Sequence, residues 1–430
     1  MRHILLIYCF FSSFSPIAFA GEKQEVGGLT LDQCVHIILV KNPSLSMIQA
    51  EAEQKSYLFE SSKKDLYPAL SAHYSYTHQS DAIFYPKDQV SYGVTVEQPL
   101  YKGKSLVTSV NKAGLEVKSS SFKVEREIND LVYLVHEYYF ALLRSEKLKE
   151  VAEQAVVRLQ SHRRDAAAFY EAGLIPKNQF LQSEVELAQG EQDLVDVDNI
   201  VDMNRARLNN LLDRKVDDFL AIADCCDDDI DNVTWEKVLD ESLKSRAEIL
   251  QAKLQVDIAE SDVILKKAPY LPMVSLSASY DRYDDVDGSS FSGLDQEVKT
   301  VSAIASWRFW TWNKEKEEVL GARMNVKRTQ KALDAVIDNI TLDARNAFLH
   351  LEQAAKRIKV SEKAIIHAKE NFRINTARYQ SQLATSTDVL DAQSLLSEAL
   401  KNNLDSIYGH RLAYAAVEKA TGKLGKRFTQ

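Results

Sequence analysis

The sequence is poor in the residues that break or crosslink a chain, with 8 prolines, 14 glycines and 4 cysteines among 430 residues. So few breakers leave room for very long helices. After the N-terminus no stretch approaches the roughly 18 consecutive apolar residues of a membrane-crossing helix, so any passage through a bilayer falls to β-strands. There is no basic excess either: 53 Lys and Arg against 62 Asp and Glu give a formal charge of -9, which disfavours nucleic acid as a partner. Motifs of chemistry are missing as well. His136 and Glu137 have no second His four residues on, and "YKGKS" at Tyr101 has Gln98 where a phosphate loop needs Gly. The expectation is no catalytic, metal or cofactor site.

What is present begins with a leader. Arg2 and His3 precede the apolar run "ILLIYCFFSSF", and Ala18 and Ala20 supply small residues before Gly21, so residues 1–20 read as a cleaved secretory signal. Cleavage removes Cys9 and leaves Cys34, Cys225 and Cys226, an odd number for an oxidising compartment. Free buried thiols and a bond from Cys34 to Cys225 or Cys226 both remain open.

Most of the mature chain is duplicated. "QAEAEQ" followed by "KKDLYPALSAHYSY" returns as "QAKLQV" followed by "KKAPYLPMVSLSASY", and each half repeats the order helix, strand, loop, strand, very long helix, bend, helix. The halves span 21–214 and 234–424, separated by an acidic linker at 215–233 and followed by a tail at 425–430. The acids of the linker lack the Gly and terminal Glu of a calcium loop and read as a solvated segment.

Four segments alternate between apolar and polar residues, at about 67–78, 89–100, 270–282 and 298–311. Leu70, Ala72, Tyr74 and Tyr76 oppose Ser71, His73, Ser75 and Thr77, and Val274, Leu276, Ala278 and Tyr280 oppose Ser275, Ser277, Ser279 and Asp281. A half-buried soluble sheet alternates in the same way. Two details favour a membrane wall instead. The polar sides are dominated by small Ser, Thr and Gly, as suits a wet lumen, and aromatics gather near the strand ends: Tyr67, Tyr76, Tyr101, Tyr270, Tyr280, Trp307, Trp310 and Trp312. Since the smallest membrane barrels need about eight strands, several chains must share one barrel. Pro99 is expected to end the second strand, with Gly103 making the bend after it.

The helical stretches 104–170 and 314–379 contain no Pro and one Gly each, enough for continuous helices of roughly 100 Å. The return helices 177–213 and 385–420 are shorter, so single helices at Leu31–Lys64 and Trp235–Lys267 are expected to stack on their ends. The bends "YEAGLIPKNQ" from Tyr170 and "YQSQLATSTD" from Tyr379 then send the chain back twice. Gly173 suits a left-handed residue after a helix and Pro176 the first turn of the next.

With "QPLYKG" at Gln98, "YEAGL" at Tyr170, Pro272 with "MVSLSASY" and "TSTDVLDA" at Thr385 in this order, the chain resembles the TolC-like outer-membrane efflux protein family. The resemblance implies a mainly helical fold with membrane β, in which a long-helix α-barrel continues a transmembrane β-barrel. Four strands per chain would be closed by a homotrimer. It implies an exit duct in the outer membrane that meets outer-membrane lipid and docks a periplasmic adaptor and an inner-membrane pump or type I secretion apparatus. It further implies a pore constriction near Tyr379, Asp388 and Asp391, and the turns with Gly173, Leu174, Ile175, Leu383 and Ala384 read either as the surface that docks the adaptor or as internal staples of the bends. Asp388 near a helix start would also be favoured by the helix dipole alone. Departures fall in the same places, with Gln382 opposite Gly173, Gln179 where an acid is expected, and Ala384 where the best-known type of member carries an Arg. A trimeric coiled-coil adhesin would instead need one stalk and one membrane segment, and a soluble periplasmic adaptor would leave without detergent as a monomer.

Overall fold

The computed structural model describes residues 28–80, 88–224, 233–286 and 296–428. The signal sequence, Cys225, Cys226 and most acids of the linker lie outside the described residues. Among those described, no helix is long and apolar enough to cross a membrane.

The duplication is visible in the element lengths. In the first half α1 (Leu31–Lys41), α2 (Pro43–Lys64), β1 (Ala69–His78) and β2 (Asp88–Lys102) lead into α3 (Ser105–Glu171) and α4 (Lys177–Leu211). The second half repeats this as α5 (Trp235–Ser245), α6 (Ala247–Lys267), β3 (Met273–Asp285), β4 (Gln296–Ser306), α7 (Lys314–Gln380) and α8 (Ser386–Ala420). The two long helices have 67 residues each and the two return helices 35 each.

Three expectations need correction. The single helices expected at Leu31–Lys64 and Trp235–Lys267 are each broken in two. Pro43 forces Asn42 into an extended conformation, and the Asn42 side chain then accepts from the amides of Ser44 and Leu45 to start α2. Arg246 reproduces that backbone without a proline, at φ -66 and ψ 122. Pro99 does not end β2. The strand bulges at Leu100, after which Tyr101 and Lys102 pair with Val274 and Met273, and a bulge is where a strand tolerates a missing amide donor. β4 stops at Ser306, earlier than 311, and the Trp307 indole donates to the Tyr270 carbonyl beyond the ladder.

The strands form one antiparallel sheet in the order β1-β2-β3-β4. Each long helix leaves it through two consecutive left-handed residues, Gly103 and Lys104 before α3, Trp312 and Asn313 before α7. At Gly103 a side chain is excluded twice over, because φ is +59 and a Cβ would stand 2.3 Å from the Ala268 carbonyl oxygen.

Near the sheet, helices α2, α3, α6 and α7 lie side by side; in the far half, the order is α4, α3, α8 and α7. Between these zones sits the main apolar core, where Cys34, Val35, Ile38, Val132, Val135, Leu142, Leu208 and Leu212 are buried together. Tyr139 in its midst donates to the carbonyls of Leu29 or Ala223, tying the start of the chain and the linker to α3. Cys34 is a free thiol in this core, and burial pushes its pKa up to about 12, which makes it inert as a nucleophile.

Candidate functional site

The sheet register turns four alternating segments into two chemically distinct faces. Leu70, Val96 and Ala278 align across neighbouring strands with Val301, and Ala72, Val94 and Tyr280 align in the next row. This face is left open to the surroundings; Leu70 is 74 % and Val301 77 % exposed. A monomeric soluble protein rarely leaves so broad an apolar surface uncovered. The opposite face is small and polar, with Ser277 and Ser302 hydroxyls 2.7 Å apart and Ser279 donating to Asp281. On it His73 Nε2 and Asp281 Oδ1 lie 3.5 Å apart across Gly93, whose bare backbone fits beneath them because a Cβ there would stand 2.3 Å from Asp281 Oδ1.

The aromatics expected at the strand ends are all exposed. Tyr67, Tyr101, Tyr270, Trp307, Trp310 and Trp312 collect where the sheet joins the helices, while Tyr76 and Tyr280 lie further along the strands. Trp310 and Trp312 meet edge to face at 5.7 Å. Apolar bodies with polar tips suit the headgroup level of a membrane.

At the other end of the molecule the two bends share one backbone solution. The Leu174 amide donates to the Phe169 carbonyl and the Gly173 amide to Tyr170; Leu383 and Gln382 repeat this with Arg378 and Tyr379. Both are Schellman caps with a left-handed residue at the crest, φ 72 at Gly173 and φ 61 at Gln382. Leu174 and Leu383 project at the crests, whereas Ile175 and Ala384 are half-buried.

The bends differ in how the next helix starts. Pro176 stands at the N-cap of α4, one position before the first helical turn, and no side chain caps that helix. In the second bend Thr385 and Asp388 form a capping box: the Thr385 amide donates to the Asp388 carboxylate at 2.8 Å, and the Asp388 amide to the Thr385 hydroxyl. The bond from the Thr385 amide and a second from the Thr385 hydroxyl to the same carboxylate, with Arg378 nearby, hold the Asp388 carboxyl below its usual range. Asp388 and Asp391 are both exposed.

Tyr379 is placed otherwise than a residue facing open space. It is 2 % exposed, packed between His162 at 4.9 Å and Phe169 at 5.4 Å, with its hydroxyl buried and unpartnered. His162 Nε2 in turn lies 2.7 Å from the Ser386 hydroxyl, linking α3 to the start of α8, and burial lowers its pKa, opposed by Asp165. Tyr170, the repeat partner of Tyr379, instead stacks on Phe180 at the surface. Nothing in the local sequence singled out His162, because its partner Ser386 is 224 residues away.

A polar-lined sheet continued by very long helices has a recognisable counterpart. The family model described as outer membrane efflux protein matches residues 34–214 and 238–423, one match per repeat. The chain belongs to the outer membrane efflux protein family. The outer membrane protein TolC of Vibrio cholerae serotype O1 is 21% identical over 393 residues, covering 90% of this chain and 89% of that protein. TolC of Escherichia coli strain K12 is 21% identical over 199 residues, covering 44% of this chain and 40% of that protein. Among solved structures, the outer membrane protein VceC from Vibrio cholerae superposes with a TM-score of 0.80 at 18% identity, covering 91% of this chain and 96% of that one. The open state of the Neisseria gonorrhoeae MtrE outer membrane channel gives 0.79 at 19% identity, covering 93% and 90%. As a member of this family the protein is an outer-membrane efflux channel.

Proposed function

We propose that the protein is the passive exit duct of a tripartite efflux or type I secretion system, assembled as a homotrimer. Supplying neither a reaction nor energy, it would receive cargo at the two bends and release it beyond the sheet. The observation that carries this reading is the sheet itself, which has one uncovered apolar face, one small polar face and edges formed by β1 and β4. Because β1 and β4 run in opposite directions, β4 of one copy can continue the antiparallel order with β1 of the next. Three copies then make a closed wall of roughly twelve strands, within the range that encloses a wet lumen.

Under this reading Asp388 and Asp391 form acidic rings at the mouth, each multiplied by the symmetry, and attract cations. Tyr379 contributes by packing behind them with His162. The crest leucines Leu174 and Leu383 offer the periplasmic adaptor apolar contacts on a protruding tip.

The test is planar-bilayer conductance of detergent-extracted protein, with native mass spectrometry of the same sample. Trimers with discrete, cation-preferring conductance are expected. Asp388→Asn with Asp391→Asn should weaken block by multivalent cations, while the amide oxygen introduced by Asp388→Asn preserves a hydrogen-bond acceptor at the helix start. A monomer without conductance would sink the duct. Leu174→Ser with Leu383→Ser should abolish export in cells while conductance persists; unimpaired export would remove the crests as the docking site.

A further inference from the structure

On the polar face of the sheet β1 and β3 are not neighbours, because β2 runs between them. Two of their side chains meet nevertheless. His73, Gly93 and Asp281 share one row of the register, so imidazole and carboxylate reach toward each other over bare backbone. A Cβ at Gly93 would stand 2.3 Å from Asp281 Oδ1 and 2.8 Å from His73 Cε1, and any side chain there would part them. Glycine weakens a strand interior and marks a place of close approach. The pair is not joined by a hydrogen bond. His73 Nε2 and Asp281 Oδ1 are 3.5 Å apart, beyond the roughly 2.7–3.2 Å of such a bond, whereas His78 Nδ1 and Asp88 Oδ1 on the other face make one at 2.6 Å.

That separation suits a metal ion. With its proton on Nδ1, a neutral imidazole offers the Nε2 lone pair, and a carboxylate oxygen is an acceptor as well. Two acceptors facing each other call for a cation between them. Zinc bonds of about 2.1 Å to nitrogen and oxygen, opened to the tetrahedral angle, set the two ligand atoms about 3.4 Å apart; magnesium, octahedral at nearly the same bond length, would set them about 3.0 Å apart. The supporting groups fit too. Ser279 donates to the other oxygen, Asp281 Oδ2, at 2.8 Å and so fixes the carboxylate with Oδ1 turned to His73. The Asp281 side chain is 15 % and that of His73 47 % exposed, which leaves a way in from the solvent side. No third His, Cys, Asp or Glu joins them among the described residues, so water would complete the coordination and the ion would exchange readily.

We propose that His73 and Asp281 form a binding site for a divalent cation of the zinc class, one per chain, on the polar face of the sheet. Imidazole selects such an ion over magnesium or calcium, which prefer oxygen alone. The site lies within a single chain; that its face lines a lumen rests on the reading of the protein as a duct. In that lumen a bound ion neutralises Asp281 and adds positive charge to the wall, so it opposes the passage of further cations.

The test is calorimetric titration of the full-length, detergent-extracted protein with zinc ion, paired with planar-bilayer conductance in which zinc is added from the strand side. A saturable phase of one ion per chain is expected, undisturbed by excess magnesium. His73→Gln and Asp281→Asn should each weaken it at least tenfold, and Ser279→Ala about tenfold through loss of the carboxylate's support. His78→Gln should leave it unchanged, and circular dichroism verifies that every variant is folded. In bilayers zinc should lower the conductance of the wild type but not of His73→Gln, in which Asp388 and Asp391 are intact. Absence of the phase, or a phase that survives both His73→Gln and Asp281→Asn, would overturn the site. Zinc binding that depends on His73 in a protein without conductance would uphold the site and remove the duct; the same binding with conductance unaffected would overturn its place in the lumen.

Discussion

Residues in the same place of the two repeats reach the same backbone by different means. Gly173 and Gln382 both crest a bend with positive φ, but only glycine does so without a Cβ penalty of about 1–2 kcal/mol. Since a Cβ at Gly173 meets no neighbour within 4 Å, Gly173→Gln should cost about 1 kcal/mol through the backbone alone, and Gln382→Gly should stabilise by somewhat less because the unfolded chain gains freedom. Thermal unfolding of the two variants checks both signs. Gly103→Ala is more severe, since the same φ penalty is joined by a clash with Ala268; a loss of about 2–4 kcal/mol is expected. Tyr379→Phe removes a buried hydroxyl without a partner, so the melting temperature should hold or rise; a fall equivalent to about 1 kcal/mol or more would reveal a partner for that hydroxyl.

Where α3 meets α8, the buried pair of His162 and Ser386 makes the packing sensitive to acid. Burial lowers the His162 pKa, so the folded protein resists a proton that the unfolded chain accepts near pH 6.5. Stability from this group is therefore full above that value and is lost as pH falls toward and through the lowered folded pKa. His410 is shifted in the same direction by burial, so the comparison must be made within variants. His162→Gln should show a smaller drop in melting temperature between pH 7.5 and 5.5 than the wild type. An equal drop would place the acid sensitivity elsewhere. Asp388, held ionised by Thr385, keeps its charge across that window. These two elements thus respond differently to acid at one bend.

Taken whole, one chain leaves apolar surface on its sheet and along both outer helices. Such surface is a cost for a monomer and a fit for a ring embedded in a membrane. In the proposed ring, raising the ionic strength should loosen the helical end more than the strand end, because strand pairing uses backbone hydrogen bonds whereas the outer helices carry exposed charge. Limited proteolysis at low and high salt would detect this as earlier cleavage in the bends with the sheet still protected; uniform protection would refute it.

The duplication, the two-faced strands, the long helices and both bends were legible in the order of residues alone, and their succession pointed to the family. Each of these depends on local signals: a period of two, a scarcity of breakers and, at the first bend, a glycine where φ must be positive. The break at Arg246, the bulge at Leu100, the burial of Tyr379 beside His162 and the meeting of His73 with Asp281 came instead from tertiary packing. They depend on which distant segments meet. His162 has no buried partner until another helix brings Ser386 to it, and His73 has no carboxylate beside it until β1 and β3 flank β2 at Gly93.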